Sequence, residues 1–379
     1  MRGWPGLLRI VAFWLALAAP AAASVLTMGV GQTYGTLGDA VAAAQAGDTI
    51  SIAPGTYVDQ TADITVPLSI IGNGAPGSII FTASPDIGGG YTQLANDKGF
   101  LIIDASATID NLTFQNATAD PLSANGAGIR YQAGDLTVRN SRFINNQDGI
   151  LATPGVAGTG SILVSNSAFL GNGVAEGLPG AGFAHAIYAT QVALLNVSGS
   201  RFDGTQQGHD IKSRALDTII TDNLLNDGVT GDSSYAIDLP NGGDATITGN
   251  TINQGDNSPN WTMIAYAAED LAYDSNTALI SGNVFNNTLP TAFGVNNFAT
   301  GSRATHVTVS CNAFNNVSDP SVGPVTFVDN VINGPLPACG QTSADVPEPK
   351  GPAALLPGLL AVLILQMHRR QQAAPVRAD

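Results

Sequence analysis

One six-residue pattern recurs along the chain and limits what it can fold into. An apolar residue stands five positions before a second apolar residue, with Asn, Gly or Ser between them. The copies are Ile109-Asp-Asn-Leu-Thr-Phe114, Val138-Arg-Asn-Ser-Arg-Phe143, Val164-Ser-Asn-Ser-Ala-Phe169 and Val197-Ser-Gly-Ser-Arg-Phe202. Ile220-Thr-Asp-Asn-Leu-Leu225, Ile247-Thr-Gly-Asn-Thr-Ile252, Ile280-Ser-Gly-Asn-Val-Phe285 and Val309-Ser-Cys-Asn-Ala-Phe314 follow, and Phe327-Val-Asp-Asn-Val-Ile332 is a weaker ninth. The closing residues of the first eight are 29, 26, 33, 23, 27, 33 and 29 positions apart. Such a period, with β-branched residues and no helical pattern, predicts a solenoid of strands. Each turn carries too little apolar surface to fold alone and must stack on its neighbours. Leucine-rich repeats would need a leucine lattice, and propeller blades would be longer. The expected fold class is all-β, a single-stranded parallel β-helix whose turns stack about 4.8 Å apart. Val, Ile and Phe ladders lie inside it and Asn, Ser and Thr turns outside. Loops at 153–161 and 253–260 make the interval vary, and loops on a regular scaffold are where function usually sits.

A rod of strands has open ends that would pair with other chains unless covered. Thr36 to Ala46 reads as a short amphipathic capping helix with Leu37, Val41 and Ala44 on one face. Gly47-Asp48-Thr49-Ile50-Ser51-Ile52 and Pro54-Gly55-Thr56-Tyr57 follow it. This stretch resembles the capped first turn of the pectin-lyase-like right-handed β-helix superfamily, and with the repeats the resemblance covers most of residues 30–335. It implies the right hand. It leaves the reaction open, because that superfamily holds lyases, hydrolases, epimerases and binding proteins.

Both ends read as addresses. Arg2 and Arg9, the apolar run Ile10 to Ala19 and Ala21-Ala22-Ala23 make a secretory signal peptide over residues 1–23, with cleavage before Ser24. The β-helix then occupies residues 24–340. At 341–379, Val346-Pro347-Glu348-Pro349 precedes the apolar stretch Ala353 to Leu365 and the pair Arg369-Arg370. This order resembles the PEP-CTERM sorting signal of Gram-negative bacteria. It implies an exosortase-type processing enzyme as partner, transient membrane association and a final place at the cell surface or in the extracellular matrix. The polar extension Gln371 to Asp379 departs from that pattern. A plain membrane anchor is the weaker reading, since thirteen residues at about 1.5 Å each fall short of a ~30 Å hydrocarbon core and Pro357 interrupts them. Export to an oxidising compartment predicts a disulfide between the only two cysteines, Cys311 and Cys339.

Between residues 24 and 345 stand eight basic and 27 acidic side chains, a balance of −19. Nucleic acid is excluded as a partner, because neutralising phosphates needs a basic surface. The acidity suits an extracellular location and makes Ca²⁺ a candidate cofactor, since Ca²⁺ takes oxygen ligands.

A second ladder locates the candidate chemistry. Ile129, Ile150, Ile187, Ile211, Ile237 and Ile264 align as one inward stack. The residues after them, Arg130, Leu151, Tyr188, Lys212, Asp238 and Ala265, then form one outward line. Two positions before the isoleucines stand Ala127, Asp148, His185, His209, Tyr235 and Thr262, where alternation turns a line inward unless the turn breaks it. The densest segment is Gly208-His209-Asp210-Ile211-Lys212-Ser213-Arg214, with Lys212 and Arg214 on one strand face. Tyr235, Asp238, Asn241, Asp244, Asn260, Tyr266 and Glu269 follow on later turns.

A uronate lyase or C5-epimerase needs a cation against the carboxylate and a base for the C5 proton, and a lyase also needs an acid for the leaving oxygen. His209, Lys212, Arg214 and Tyr235 are the catalytic candidates, and Arg130, His185, Tyr188, Asn241 and Tyr266 the substrate-binding ones. Asp238 or Asp244 would hold Ca²⁺ in place of the arginine. The clustered aspartates of a polygalacturonase-like hydrolase and the arginine motif of the best-known pectate lyases are both missing. Two functions stay open: an enzyme acting on acidic polysaccharide, or a non-catalytic surface protein that binds exopolysaccharide.

Overall fold

The computed structural model describes residues 22–84, 94, 96, 98–119, 124–301 and 303–339. The signal and sorting segments read from the sequence lie almost wholly outside these residues. Residues 1–337 form one unit and 338–379 another, of which only Ala338 and Cys339 are described. Both cysteines are disulfide-bonded, as the export reading expects.

The first unit is a three-sided right-handed parallel β-helix. Among the described residues its faces are sheets of twelve, eleven and ten strands, visited in that order once per turn, and every pairing between named strands is parallel. The capping helix runs from Leu37 to Ala43, with Thr36 accepting the Asp39 backbone N–H at its start. Leu37 and Ala40 are buried, and Val41 and Ala44 pack against the core beside them. No described helix is long and apolar enough to cross a membrane.

The recurring sextet is the corner between the twelve- and eleven-stranded sheets, and each of its positions has a physical task. Its first and last residues point inward. Phe143, Phe169 and Phe202 stack with centroids 4.7 Å apart, and Phe285 lies on Phe314 at 4.5 Å. Its third residue turns the chain through the left-handed region, with φ between 48° and 71° in all nine copies. Asn, Asp and Gly tolerate that conformation best and occupy eight of the nine; Cys311 is the other.

The fourth residue builds a buried polar ladder. Leu112 N donates to Ser141 Oγ, Ser141 N to Ser167 Oγ, Ser167 N to Ser200 Oγ and Ser200 N to Asn223 Oδ1. Asparagines continue it, Asn223 N to Asn250, Asn250 N to Asn283, Asn283 N to Asn312 and Asn312 N to Asn330. Corner N–H groups that the sheets cannot satisfy thus find acceptors one turn on.

The ten-stranded sheet carries the isoleucine ladder in the expected register. Ile129, Ile150, Ile187, Ile211, Ile237 and Ile264 are consecutive partners and fully buried, and Val295 extends the stack. Arg130, Leu151, Tyr188, Lys212, Asp238, Ala265 and Asn296 therefore share the outer row.

Candidate functional site

Lys212 sits in the strand Ile211–Ser213, and Arg214 follows directly after it. Between them Ser213 faces inward, its hydroxyl bonded to that of Thr218, so both cations project outward. Arg214 Nε donates to the Tyr188 hydroxyl at 2.9 Å, and its two terminal nitrogens grip Glu269 at 2.7 Å each. Arg214 Nη1 also donates to Asn241, whose own amide donates to the Asp270 carbonyl. Lys212 Nζ lies 3.2 Å from Asp238 Oδ2 and 3.6 Å from Glu269 Oε1. Both cations stand within 6 Å of the Tyr188 ring centroid, in cation–π range.

Two cations face two carboxylates here, but the carboxylates differ. The Asp238 side chain is 3% exposed, and burial lifts its pKa to about 6 against the pull of Lys212. Its Oδ1 has no hydrogen-bond partner among the described residues. Glu269 is half exposed on the loop after the strand Thr262–Tyr266, and its hydrogen bond with Arg214 holds its pKa below the usual range.

The line two positions before the isoleucines is an aromatic stack. His185 and His209 rings lie 4.8 Å apart, and His209 and Tyr235 rings 5.0 Å apart, both nearly parallel. His209 N donates to His185 Nδ1 and Tyr235 N to His209 Nδ1, so both Nδ1 atoms are acceptors without a proton. Neutral rings then carry the proton on Nε2, which in His209 is 3.3 Å from Asp238 Oδ2. Burial, with Lys212 and Arg214 adding to it, holds the His209 pKa down to about 3. Burial likewise pushes His185 well below its usual value. His209 is thus a neutral donor whose Nδ1 is already engaged by the Tyr235 N–H. Both histidines are buried, yet they lie beside the outer row, His185 against the Tyr188 ring and His209 against Asp238.

Tyr235, Asn241, His185 and Tyr188 join Lys212, Arg214, His209 and Asp238 on neighbouring turns. Three other candidates lie elsewhere. Arg130 is two turns from Tyr188 with Leu151 between, beside the buried Asp148 and bonded to Asn125. Tyr266 is fully buried and its hydroxyl donates to the Gly243 carbonyl, so it offers no surface to a substrate. Asp244 belongs to the twelve-stranded sheet and accepts from Ser275 and Thr277.

Asp238 and Asp244, on different sheets, do not share an ion. Among the described residues no group of three or more His, Cys, Asp or Glu could hold a metal. Asp238 faces a lysine and a histidine donor, and this surrounding does not fit a resident Ca²⁺. Sequence reasoning puts Glu269 near the site but gives it no role. No periodic position marks it, since its loop lies off the repeat.

The family described as "Right handed beta helix region" matches residues 98–262, which include Lys212, Arg214 and Asp238 but not Glu269. Among solved structures, an alginate lyase from Paenibacillus sp. str. FPU-7 is similar at 17% identity and TM-score 0.54, over 82% of this chain and 99% of that one. The PL6 family alginate lyase AlyGC, in a substituted form, is similar at 17% identity and TM-score 0.53, over 87% of this chain. This chain spans 41% of AlyGC. No curated protein matches the sequence. At these identities the structural likeness is one of fold.

Proposed function

We propose that the protein acts on an acidic polysaccharide at the Lys212–Arg214–Tyr188 cluster, by β-elimination or C5 epimerisation of a uronate. The observation that carries this reading is the bidentate grip of Arg214 on Glu269, with Lys212 alongside. A uronate carboxylate presents the same two oxygens and would take the place of the half-exposed Glu269. Arg214 then stabilises the charge that builds on that carboxylate as the C5 proton leaves. Lys212, in its neutral form, is the base that takes the C5 proton, and Asp238 at 3.2 Å holds it in place. In elimination the C4–O4 bond breaks as the C4–C5 double bond forms, and Tyr188, its oxygen already held by Arg214, protonates O4. In epimerisation a proton returns to C5 from the opposite face. The fold shared with two alginate lyases makes alginate, a uronate polymer, the first substrate to try. Export as a signal-peptide precursor and sorting by an exosortase-type enzyme complete the reading and rest on the two terminal segments.

The charge balance of the resting cluster favours a second reading, a non-catalytic exopolysaccharide-binding protein, because neither cation is free of a carboxylate. The two are separated by incubating the protein with uronate polymers. Ultraviolet absorbance of unsaturated ends reports elimination, and proton exchange at C5 reports epimerisation. Binding without either signal supports the second reading, and the absence of binding to every uronate polymer sinks both.

Glu269→Gln gives a sharper check on the exchange of carboxylates. A glutamine cannot compete for the guanidinium by charge, so KM for a uronate substrate is expected to fall about two- to fivefold, a surface-pair energy. An unchanged or higher KM means that Glu269 does not occupy the carboxylate place.

A further inference from the structure

Two turns beyond Lys212 on the same face lies a trough of about 340 Å³. Its walls include Tyr235, Trp261, Phe293, Asn296 and Phe298, and no side chain lining it is ionisable at neutral pH. Trp261 is 57% exposed and meets the edge of Phe293 with ring centroids 6.2 Å apart. Asn296 stands in the outer row of Lys212 and Asp238, is 8% exposed, and its side-chain amide has no hydrogen-bond partner among the described residues. The half-buried Tyr235 likewise keeps its hydroxyl unbonded among the described residues while its ring stacks on His209.

A large exposed indole is costly to leave in water, and the Asn296 amide, unpartnered among the described residues and open to solvent, is free to bond a ligand hydroxyl. A ligand that satisfies both has an apolar face and a polar rim, which describes a pyranose ring. We propose that this trough is a sugar subsite: a pyranose stacks on the Trp261 indole, with its hydroxyls bonded to the Asn296 amide and the Tyr235 hydroxyl. The inference rests on the polysaccharide reading above and extends it. Turns advance about 4.8 Å each, so a polymer held at Lys212 and running along the rod reaches the trough within a few residues. The trough recognises the ring rather than the carboxylate, because nothing in it carries a charge. It would therefore hold uronate and neutral sugars alike, which limits charge selection to the Lys212–Arg214 end.

The other two tryptophans, Trp4 and Trp14, stand in the signal segment, so the emission change that is lost in Trp261→Phe reports occupancy of the trough. The test titrates the full chain with hexamers of mannuronate and of glucose, following fluorescence and calorimetry. Trp261→Ala is expected to weaken mannuronate-hexamer binding at least about tenfold, as loss of a central aromatic anchor does. Trp261→Phe should retain most of the affinity, and Asn296→Ala should lose part of it. The melting temperature of Trp261→Ala should not move, since the side chain is exposed. Unchanged hexamer affinity in Trp261→Ala overturns the subsite and leaves the polysaccharide reading standing. Failure of the wild-type chain to bind any uronate hexamer overturns that reading and takes the subsite with it.

Discussion

Lys212→Ala is expected to abolish turnover of a uronate substrate, lowering kcat/KM by about a thousandfold or more, as removal of the base from a proton abstraction does. It should also destabilise the protein above neutral pH, although an outward lysine on a strand suggests no such cost from sequence. The reason is Asp238, 3% exposed and 3.2 Å from the ammonium. Without Lys212 its carboxylate is a buried charge missing its closest cation, a loss of about 3 kcal/mol when ionised. The sign follows from the raised pKa. The folded state holds the Asp238 proton up to about pH 6, whereas an ordinary aspartate releases it near 3.8. The stability Asp238 contributes therefore declines as pH rises between those values and stays low above them.

In Lys212→Ala that decline extends further up the pH scale. The difference in melting temperature from wild type should be large near pH 8 and small near pH 4. Taking the difference removes most of the opposite contribution of His185 and His209, whose depressed pKa values lose stability as pH falls below 6.5. Adding Asp238→Asn to Lys212→Ala should recover the stability and none of the activity. Full activity in Lys212→Ala rejects the base assignment. Equal melting temperatures at every pH reject the buried pair as a source of stability.

The repeat is legible because a β-helix writes each inward ladder into the sequence at every turn. The isoleucine ladder and the outer row Arg130, Leu151, Tyr188, Lys212, Asp238 and Ala265 are readable in register for that reason. What decides the roles of those residues is not. Whether His209 is buried depends on how the preceding loop enters the strand, and Tyr266 is buried because its position alternates inward two residues past Ile264. Asp244 looks close to Asp238 in sequence, but the chain turns a corner between them onto another sheet. Glu269 and Trp261 sit in loops that follow no period, so only the folded chain brings Glu269 onto Arg214 or Trp261 against Phe293.

Asn283→Ala is expected to cost more than any single surface change, about 3–5 kcal/mol, because it breaks a fully buried ladder whose members have no water to turn to. Asn283 Nδ2 donates to the Ile247 carbonyl at 2.9 Å and to Asn312 Oδ1 at 3.0 Å. Its Oδ1 accepts both the backbone N–H and the side-chain amide of Asn250 at 2.9 Å. Truncation strands those two donors and the Ile247 carbonyl at once, and a methyl group satisfies none of them. In a chain of this length the loss lowers the melting temperature by on the order of 5 °C. Asn283→Ser separates hydrogen bonding from volume, since serine fills the same corner position at Ser141, Ser167 and Ser200, each accepting the N–H of the turn before. It should recover part of the loss by accepting from Asn250 N while leaving the Asn250 amide unpaired. Asn286→Ala, in the half-buried ladder that joins Asn253 and Asn315, should cost about 1 kcal/mol, because water reaches the groups it frees. Thermal unfolding should rank Asn283→Ala as the least stable of the three variants, Asn283→Ser next and Asn286→Ala nearest to wild type. If Asn283→Ala instead melts with Asn286→Ala, the apolar ladders hold the turns without the asparagines, and the fourth residue of the sextet is a turn former only.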